Sequence, residues 1–339
     1  MGSQTPPKTI RISLLAVPDV YVSSLSGFYD TFGIASELAA GRVKLEVEIV
    51  AATAELESRA SRMPIVAHRT LDKVFDPDIV IVPTTLRNGA DWVENSHSVA
   101  TRWLAAMYRR GSTVCSACSG ALLLAEAGLL DGQEITTHWN LAATFRDRFP
   151  SVRVRLEHEL VASGEDGRII TSGASAAWQD LALYLVARFG GGELAYETGN
   201  FFMHQWHADG QALYVDFEER MDHGDAAVLR SQAWLADNLA TPNPIERMTA
   251  ASGMADRSFN RRFRDATGHT PISYVQRLRV QHAKRMLART SVPVEDVAWG
   301  VGYEDSSAFH RLFKRITNVT PGTYRRKMMV RTPYGATPR

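Results

Sequence analysis

Cysteine is scarce in this chain of 339 residues, which has only Cys115 and Cys118. Two cysteines cannot form the disulfide framework of a small secreted protein, and they favour a reducing cytoplasm. No apolar run approaches the ~18 residues that a membrane span requires. The first nine residues are polar and contain proline, unlike the basic and then apolar order of a signal peptide. The sequence therefore predicts a cytoplasmic protein that does not bind membranes.

Net charge is also small, at +1, but it is unevenly distributed along the chain. Residues 231–330 contain 16 Lys and Arg against 8 Asp and Glu, whereas residues 1–230 contain 20 against 29. An acidic body with a basic C-terminal module indicates that only the module binds a polyanion. Taken alone, the asymmetry is equally compatible with chance and surface solubility.

The first 200 or so residues alternate short apolar strands with helical patterns. Strands are predicted at residues 10–17, 45–51, 79–83, 113–115 and 169–171. Helices are predicted at residues 28–40, 99–110, 119–127, 141–149 and 176–188. Such alternation favours an α/β domain, with a parallel sheet covered by helices on both faces. We assign this domain to residues 1–214, a charged linker to 215–226 and an all-α domain to 227–330.

The last third of the chain contains an internal repeat at an offset of about 50 residues. The matching positions are Gly253 and Gly302, Phe259 and Phe309, Phe263 and Phe313, and Pro271 and Pro321. A glycine suits the tight turn between two helices, and a phenylalanine pair at i,i+4 anchors the second helix on one face. The repeat therefore predicts two helix-turn-helix units, and a helical bundle with a solvated basic face is the alternative.

The outer face of each second helix carries side chains suited to double-stranded DNA. In the first unit these are Arg257, Ser258, Asn260, Arg261 and Arg264. In the second they are Ser306, Ser307, His310, Arg311, Lys314 and Arg315. Arginine pairs with guanine edges, whereas serine, asparagine and lysine reach bases or phosphates. Asp256 and Asp305 are the predicted N-caps of the two helices.

This third of the chain resembles the AraC-type DNA-binding domain over residues 227–327. The resemblance rests on both repeat units and on the segment RVQHAKRML, residues 279–287, between them. It implies a long helix joining the units and two recognition helices that enter successive major grooves, about 34 Å apart. The family has a glycine after its second recognition helix, where this chain has Asn318, a residue that tolerates positive φ.

The segment at residues 112–132 has the layout of a nucleophile elbow. A strand ends, Cys118 occupies a tight turn and a helix begins, an arrangement that favours a thiolate. Cys115 and Cys118 also have the spacing of a redox pair, but Cys115 is expected inside the strand and in the core. No second pair of ligands accompanies them, so we predict no metal site.

Residues 9–217 resemble the class I glutamine-amidotransferase-like superfamily, which includes PfpI-type proteases and isonitrile hydratases. The similarity is greatest to the GlxA branch of AraC-type regulators, in which such a domain precedes the DNA-binding domain. The motif Thr136-Thr137-His138-Trp139 and the segment Asp209-Gly210-Gln211 support it. It implies a flavodoxin-like, doubly wound sheet with its ligand site at the carboxyl ends of the strands, near Cys118.

Two catalytic partners implied by the superfamily are missing. A histidine follows the cysteine in PfpI-type proteases, where this chain has Ser119. Isonitrile hydratases take an acid from the loop after the first strand, where our alignment gives Ser24. A cysteine nucleophile requires a base or an acid within reach, so the sequence predicts a domain that is not an enzyme.

Three functions follow, and we prefer the first. It is a ligand-responsive transcription regulator, an activator that forms a homodimer through its α/β domain and works with RNA polymerase. Its small-molecule effector would bind beside Cys118, Ser119, His138 and Trp139, with no cofactor. The second is a cysteine-dependent hydrolase or hydratase fused to a DNA-binding domain. The third is a constitutive regulator whose α/β domain only dimerises.

Overall fold

The computed structural model describes residues 7–329, apart from residue 75 and residues 86–92. The chain divides into two compact units, Met1–Gln211 and Ala212–Arg339. Within the described residues, all strands lie in the first unit, and the second unit contains helices only. The predicted order of an α/β sheet followed by an all-α domain is therefore confirmed.

The first unit has a central sheet flanked by small strand pairs. Its strands are β1 (Lys8–Leu15), β2 (Val43–Ala51), β3 (Glu55–Glu57), β4 (Pro64–Val66), β5 (Arg69–Thr70), β6 (Ile79–Val82), β7 (Thr113–Ala117), β8 (Glu134–Ile135), β9 (Arg153–Val154), β10 (Leu160–Ser163) and β11 (Ile169–Ser172). Among the described residues, seven of them form the main sheet in the order β10-β11-β7-β6-β1-β2-β5. Strands β3 and β4 pair separately, as do β8 and β9.

The main sheet is parallel apart from its β10 edge, which runs antiparallel to β11. Its inner strands follow the order β2-β1-β6-β7-β11, the flavodoxin-like order once the small strands are set aside. Strands β6 and β7 are buried along their whole length, which explains their continuous apolar pattern. Parallel pairing brings the carboxyl ends of β6, β7 and β11 to one edge of the sheet.

Helices cover both faces of this sheet. They are α1 (Val22–Leu38), α2 (Ser98–Arg109), α3 (Ala121–Glu126), α4 (Ala142–Arg148), α5 (Trp178–Gly190) and α6 (Gly192–Phe202). The sequence pattern predicted the first five, although α1 begins six residues before its predicted start at residue 28, and it missed α6. No helix among the described residues is long and apolar enough to cross a membrane.

The second unit repeats one helical motif twice. Its helices are α7 (Ala226–Asp237), α8 (Pro244–Ser252), α9 (Asp256–Thr267), α10 (Pro271–Arg289), α11 (Val294–Gly300), α12 (Ser306–Thr317) and α13 (Pro321–Met328). Helices α8 and α9 form the first helix-turn-helix, α11 and α12 form the second, and α10 joins them. Asn318 ends α12 with φ +63°, so it takes the left-handed conformation predicted for it.

The aromatic core of each repeat is the same. Phe263 lies 5.2 Å from the ring of Tyr274, and Phe313 lies 5.5 Å from Tyr324, both edge to face. All four rings are almost fully buried. The i,i+4 phenylalanines and the tyrosine 11 residues after the second of them therefore attach each recognition helix to the helix that follows it.

The N-caps of the recognition helices differ from each other. Asp305 caps α12, because its carboxylate accepts a hydrogen bond of 2.8 Å from the backbone N–H of Ser307. The prediction for Asp256 was wrong, since α9 begins one residue earlier, with Ala255 as its N-cap. Asp256 is instead the first helical residue, where its charge still favours the helix dipole.

Arg279 on α10 links the two repeats. The residue is 7% exposed, and its guanidinium donates to the carbonyl oxygens of Leu239, Thr241 and Gly302 at 3.0, 2.9 and 3.0 Å. The first two carbonyls precede the first helix-turn-helix, and the third lies in the turn of the second. One buried cation therefore satisfies backbone acceptors in both halves of the unit.

Residues 213–223, the N-terminal strap of this unit, lie on α10. Lys284 donates to the carbonyl of Val215 at 2.7 Å, and the Tyr274 hydroxyl donates to Glu219 at 2.8 Å. The side chain of Gln281 accepts from the backbone N–H of Phe217 at 3.1 Å. Lys284 is 4% exposed, and burial lowers its pKa. The charged segment at residues 215–226 thus supplies partners for buried polar groups of α10.

We expect Gly302→Ala to destabilise the second unit more than Gly253→Ala. Both glycines have positive φ, so each alanine carries a strain of about 1 kcal/mol. At Gly302, however, a Cβ atom would lie 2.6 Å from Arg279 and 2.8 Å from the carbonyl of Ala240, whereas at Gly253 it meets open space. Urea unfolding would measure the difference, and equal losses of stability would contradict this account.

Candidate DNA interface and elbow site

The predicted DNA face of α9 is open to solvent. Its proposed contact residues, Arg257, Ser258, Asn260, Arg261 and Arg264, are all exposed, while Phe259 and Phe263 are buried on the opposite side. Arg262 lies between the two faces and makes a bidentate ion pair with Asp225, the N-cap of α7, at 2.9 and 2.8 Å. Arg262 therefore orients α9, and Arg257, Arg261 and Arg264 supply positive charge on its outer face.

The outer face of α12 is less uniform. Ser307, Arg311, Lys314 and Arg315 are exposed, whereas Ser306 and His310 are half-buried at its edge. Arg315 donates to the side chain of Gln276 on α10 at 3.1 Å, and Arg311 lies 3.8 Å from Asp305. Both arginine contacts are solvent-exposed, so each arginine can exchange its partner for a phosphate or a base at small cost.

Cys118 lies immediately after β7, in a backbone conformation that non-glycine residues rarely adopt. Its φ is +55°, and the neighbouring Gly120 packs so closely that a Cβ atom there would lie 2.6 Å from the carbonyl oxygen of Val82. Strain of this kind costs roughly 1–3 kcal/mol and persists only where the surrounding structure enforces it. The predicted elbow is therefore present, at the carboxyl edge of the sheet.

The thiol of Cys118 is surrounded by hydroxyl groups. Its Sγ lies 3.6 Å from the Oγ of Ser175, an exposed residue after β11, and Ser119 and Thr84 also interact with it. Burial raises the pKa of Cys118, and these hydrogen bonds offset the effect only in part. The sulfur is thus held as a neutral thiol, not as the thiolate that nucleophilic chemistry requires.

The two positions aligned with catalytic partners have other contacts. The Ser119 hydroxyl accepts a hydrogen bond of 3.0 Å from the backbone N–H of Thr85, so it holds the end of β6. The Ser24 hydroxyl donates to the carbonyl of Tyr21 at 3.0 Å, within its own helix turn. Asp19, in the loop after β1, pairs with His97 at 2.8 Å and Arg59 at 3.1 Å.

A buried network that sequence reasoning missed connects the elbow to Gln211. The Thr137 hydroxyl donates to the carbonyl of Cys118 at 2.8 Å. The amide nitrogen of Gln211 donates to the hydroxyl of Thr136 and the carbonyl of Thr137, at 2.8 and 2.9 Å. Gly173 leaves room for this amide, since a Cβ atom there would lie 2.7 Å from it. The only signal in the sequence was that Gln211 and Thr137 both lie in motifs.

His138 and Trp139 follow Thr137 in the chain and are half-exposed. Their rings lie 4.0 Å apart, and His138 Nδ1 accepts a hydrogen bond of 3.2 Å from the backbone N–H of Asn140. Burial lowers the pKa of His138, which favours the neutral ring. Thr137 makes the hydrogen bond to the carbonyl of Cys118, and His138 and Trp139 are the next two residues along the chain.

We expect both thiols to resist alkylation in the native protein at pH 7. Burial raises the pKa of each, so below the raised value the thiol is protonated and nucleophilic thiolate is scarce. Mass spectrometry after iodoacetamide treatment would follow the labelling, with urea-unfolded protein as the control. Rapid labelling of Cys118 at neutral pH would show an activated thiolate and contradict the account of its environment.

Profiles of two protein families match the two units. The DJ-1/PfpI family matches residues 20–188, and a helix-turn-helix domain matches residues 248–327. The fold resembles a crystal structure from Vibrio parahaemolyticus with a TM-score of 0.50, at 19% identity, over 58% of this chain and all of that one.

Two relatives resemble the chain across both units. The HTH-type transcriptional regulator GlxA of Rhizobium meliloti is 28% identical over 70% of this chain and 72% of its own length. The HTH-type transcriptional regulator CdhR of Pseudomonas aeruginosa is 28% identical over 70% of this chain and 69% of its own.

The class of protein follows from these matches and from the paired basic helices. The chain is a DNA-binding transcription regulator. More specifically, it combines a DJ-1/PfpI domain with a C-terminal AraC-type helix-turn-helix domain.

Proposed function

We propose that a small polar effector binds at the elbow of the DJ-1/PfpI domain and controls DNA binding by the second unit. One observation carries the proposal: Gln211 Oε1 is buried beside the Thr137–Cys118 network and has no hydrogen-bond partner among the described residues. A buried acceptor left unpaired costs about 1–3 kcal/mol, so a ligand that donates a hydrogen bond there gains affinity. Ser175, whose Oγ lies 3.6 Å from the thiol, is exposed.

The proposal treats the elbow as a binding site without catalysis. The thiol is neutral, the hydroxyl of Ser119 is bonded to Thr85, and the hydroxyl of Ser24 is bonded to Tyr21. Among the described residues, no base contacts the sulfur. Cys118, Ser119, His138 and Trp139 are the proposed lining, and Thr137 and Gln211 join them. The proposed DNA contacts are eleven polar residues of α9 and α12: Arg257, Ser258, Asn260, Arg261, Arg264, Ser306, Ser307, His310, Arg311, Lys314 and Arg315.

Activation, homodimerisation and cooperation with RNA polymerase complete the proposal. A dimer would present two pairs of recognition helices and strengthen binding to a repeated site. Several large apolar side chains in the first unit favour a subunit contact: Tyr196 is 70%, Phe201 60% and Met203 86% exposed. If the first unit only mediates dimerisation and binds no effector, the regulator is constitutive. This is the second candidate function.

Thermal unfolding with a panel of small polar metabolites tests effector binding. A ligand at about 100 times its dissociation constant adds roughly 2.7 kcal/mol to the stability of the unit that it fills. Trp139→Ala and Cys118→Ala should abolish the shift, whereas Val66→Ala, at an exposed position on β4, should retain it. Operator affinity should change with the same compound. If no compound shifts unfolding while DNA binding is intact, the constitutive dimer is the better description.

A further inference from the structure

Residues 211–219 join the elbow of the first unit to the long helix of the second without a free linker. Gln211 is 3% exposed and is the last residue of the first unit, where its amide bonds to the carbonyl of Thr137. Leu213 is 2% exposed and belongs to a hydrophobic core of the second unit. Only Ala212 separates these two buried residues, so their Cα atoms are at most about 7 Å apart. The chain therefore has no slack that would absorb a displacement of Gln211.

The chain just before Gln211 is firmly anchored to α5. The buried carboxylate of Asp180 accepts a hydrogen bond of 2.8 Å from the backbone N–H of His207, and its other oxygen lies 2.8 Å from His207 Nδ1. Gly210 then packs against Glu157, since a Cβ atom there would collide with the carbonyl of that residue. Because this side is fixed, a shift of Gln211 acts on the residues that follow it.

The strap that follows contacts the cores of both helix-turn-helix repeats. Leu213 belongs to the core that contains Phe313 of α12. Phe217 packs against the core that contains Phe263 of α9, and its ring lies 5.0 Å from that of Tyr274, edge to face. These two apolar side chains of the strap are only four residues apart in the sequence. One short segment therefore connects the cores to which the two recognition helices are attached, and a shift of the strap affects both.

We propose that residues 211–219 carry the state of the effector site to both recognition helices. The inference rests on the proposed function, in which an effector donates a hydrogen bond to Gln211 Oε1. The amide nitrogen of the same side chain bonds to the carbonyl of Thr137, so a ligand that shifts this amide alters the upstream anchor of the strap. Lys284 and Gln281 bond to the strap from α10, the helix that joins the two repeats, so operator affinity changes with the position of the strap.

A double-mutant cycle on the full chain tests this route without an effector. The first change is Gln211→Met, which keeps the length of the side chain but removes its hydrogen bonds to Thr136 and Thr137. The second is a Gly-Ser-Gly-Ser insertion between Ala212 and Leu213, which introduces a flexible linker. The affinity for an operator duplex selected from random sequences is measured for the wild type, the two single variants and the combined variant.

We expect Gln211→Met alone to weaken operator binding by at least about fivefold, the lower end of ordinary allosteric coupling. The strap loses its upstream anchor in this variant, so amide hydrogen exchange in peptides that cover the strap should become faster. With the insertion present, the same substitution should change operator affinity by less than about twofold, because the flexible residues separate the elbow from the strap.

Two control variants separate this route from general damage to the first unit. Gln133→Met makes the same substitution at a half-buried glutamine, whose Oε1 accepts a hydrogen bond of 2.9 Å from the backbone N–H of Gly164. It should leave operator affinity within about twofold of the wild type. The same insertion between Ala40 and Gly41, two exposed residues after α1, should preserve the full effect of Gln211→Met.

Thermal unfolding would reveal a Gln211→Met protein that does not fold. Thr136→Val then takes its place in the cycle, because it removes one acceptor of the same amide and keeps the glutamine. The cycle contains no effector, so this coupling and effector binding can fail independently of each other. Unchanged operator affinity in the single variant, or an equal loss with and without the insertion after Ala212, would overturn the proposal.

Discussion

Replacement of Arg279 by methionine is expected to lower the stability of the second unit by about 3–5 kcal/mol. Methionine has a similar length but donates no hydrogen bond, so the buried carbonyl of Leu239 and the partly buried carbonyls of Thr241 and Gly302 lose their partner. Each unsatisfied buried acceptor costs about 1–3 kcal/mol. The wild type, however, pays a desolvation cost for burying the charged guanidinium, and methionine removes that cost, which offsets part of the sum. Such a loss is a large part of the usual stability of a domain.

Amide hydrogen exchange, read by mass spectrometry on peptides from α10, would measure this change within the second unit alone. Arg277→Met is the matched control, because Arg277 is exposed on the same helix. The control should change the free energy of opening by less than about 0.5 kcal/mol. An Arg279→Met protein as well protected as the control would show that the three carbonyls do not depend on the guanidinium.

Arg261→Ala and Arg311→Ala are each expected to weaken operator binding by about 1–3 kcal/mol, and together to abolish a specific footprint. Both arginines lie on the exposed faces of the recognition helices, one in each repeat. Loss of a base contact should also relax the choice of sequence at one position of the site. Loss of a phosphate contact would instead weaken all sequences equally and reduce the salt dependence.

Competition among randomised duplexes at two salt concentrations separates these outcomes. Arg285→Ala is the matched control, since it removes the same charge from an exposed position on α10. A footprint that both recognition-helix variants leave intact would remove the DNA role from α9 and α12. An equal loss in the Arg285 variant would show that net charge alone sets the affinity.

Local patterns were enough to predict the five inner strands of the main sheet and the first five helices of the first unit. Strands β6 and β7 are buried on both sides, so they read as continuous apolar runs, and the repeat identified the recognition helices through Phe259 and Phe309. Strands β8 and β9 have two residues each and give no periodic signal. The β10 edge is half-buried and antiparallel, so its pattern did not distinguish it from a loop.

The elbow was predictable because its determinants are adjacent in sequence, whereas its surroundings were not. Gln211 is 74 residues from Thr137, and only the fold brings them together. Similarly, the sequence alone suggests that Lys284 is a surface charge on a helix. The structure shows that it is buried and bonded to Val215 of the strap. The prediction of Asp256 as an N-cap was wrong because α9 begins one residue earlier than predicted. Sequence patterns usually locate helix ends only to within one or two residues.

The position of the strap bears on how such regulators could arise by recombination. Tyr274, Gln281 and Lys284 take hydrogen-bond partners from residues 215–219, upstream of the first helix of the second unit. Leu213, further upstream, lies in the same hydrophobic core as Phe313. A gene fusion that joined a new sensor at residue 226 would omit residues 215–219, so Tyr274, Gln281 and Lys284 would lose these hydrogen-bond partners. The transferable module therefore begins before Leu213, a dozen residues earlier than its first helix suggests.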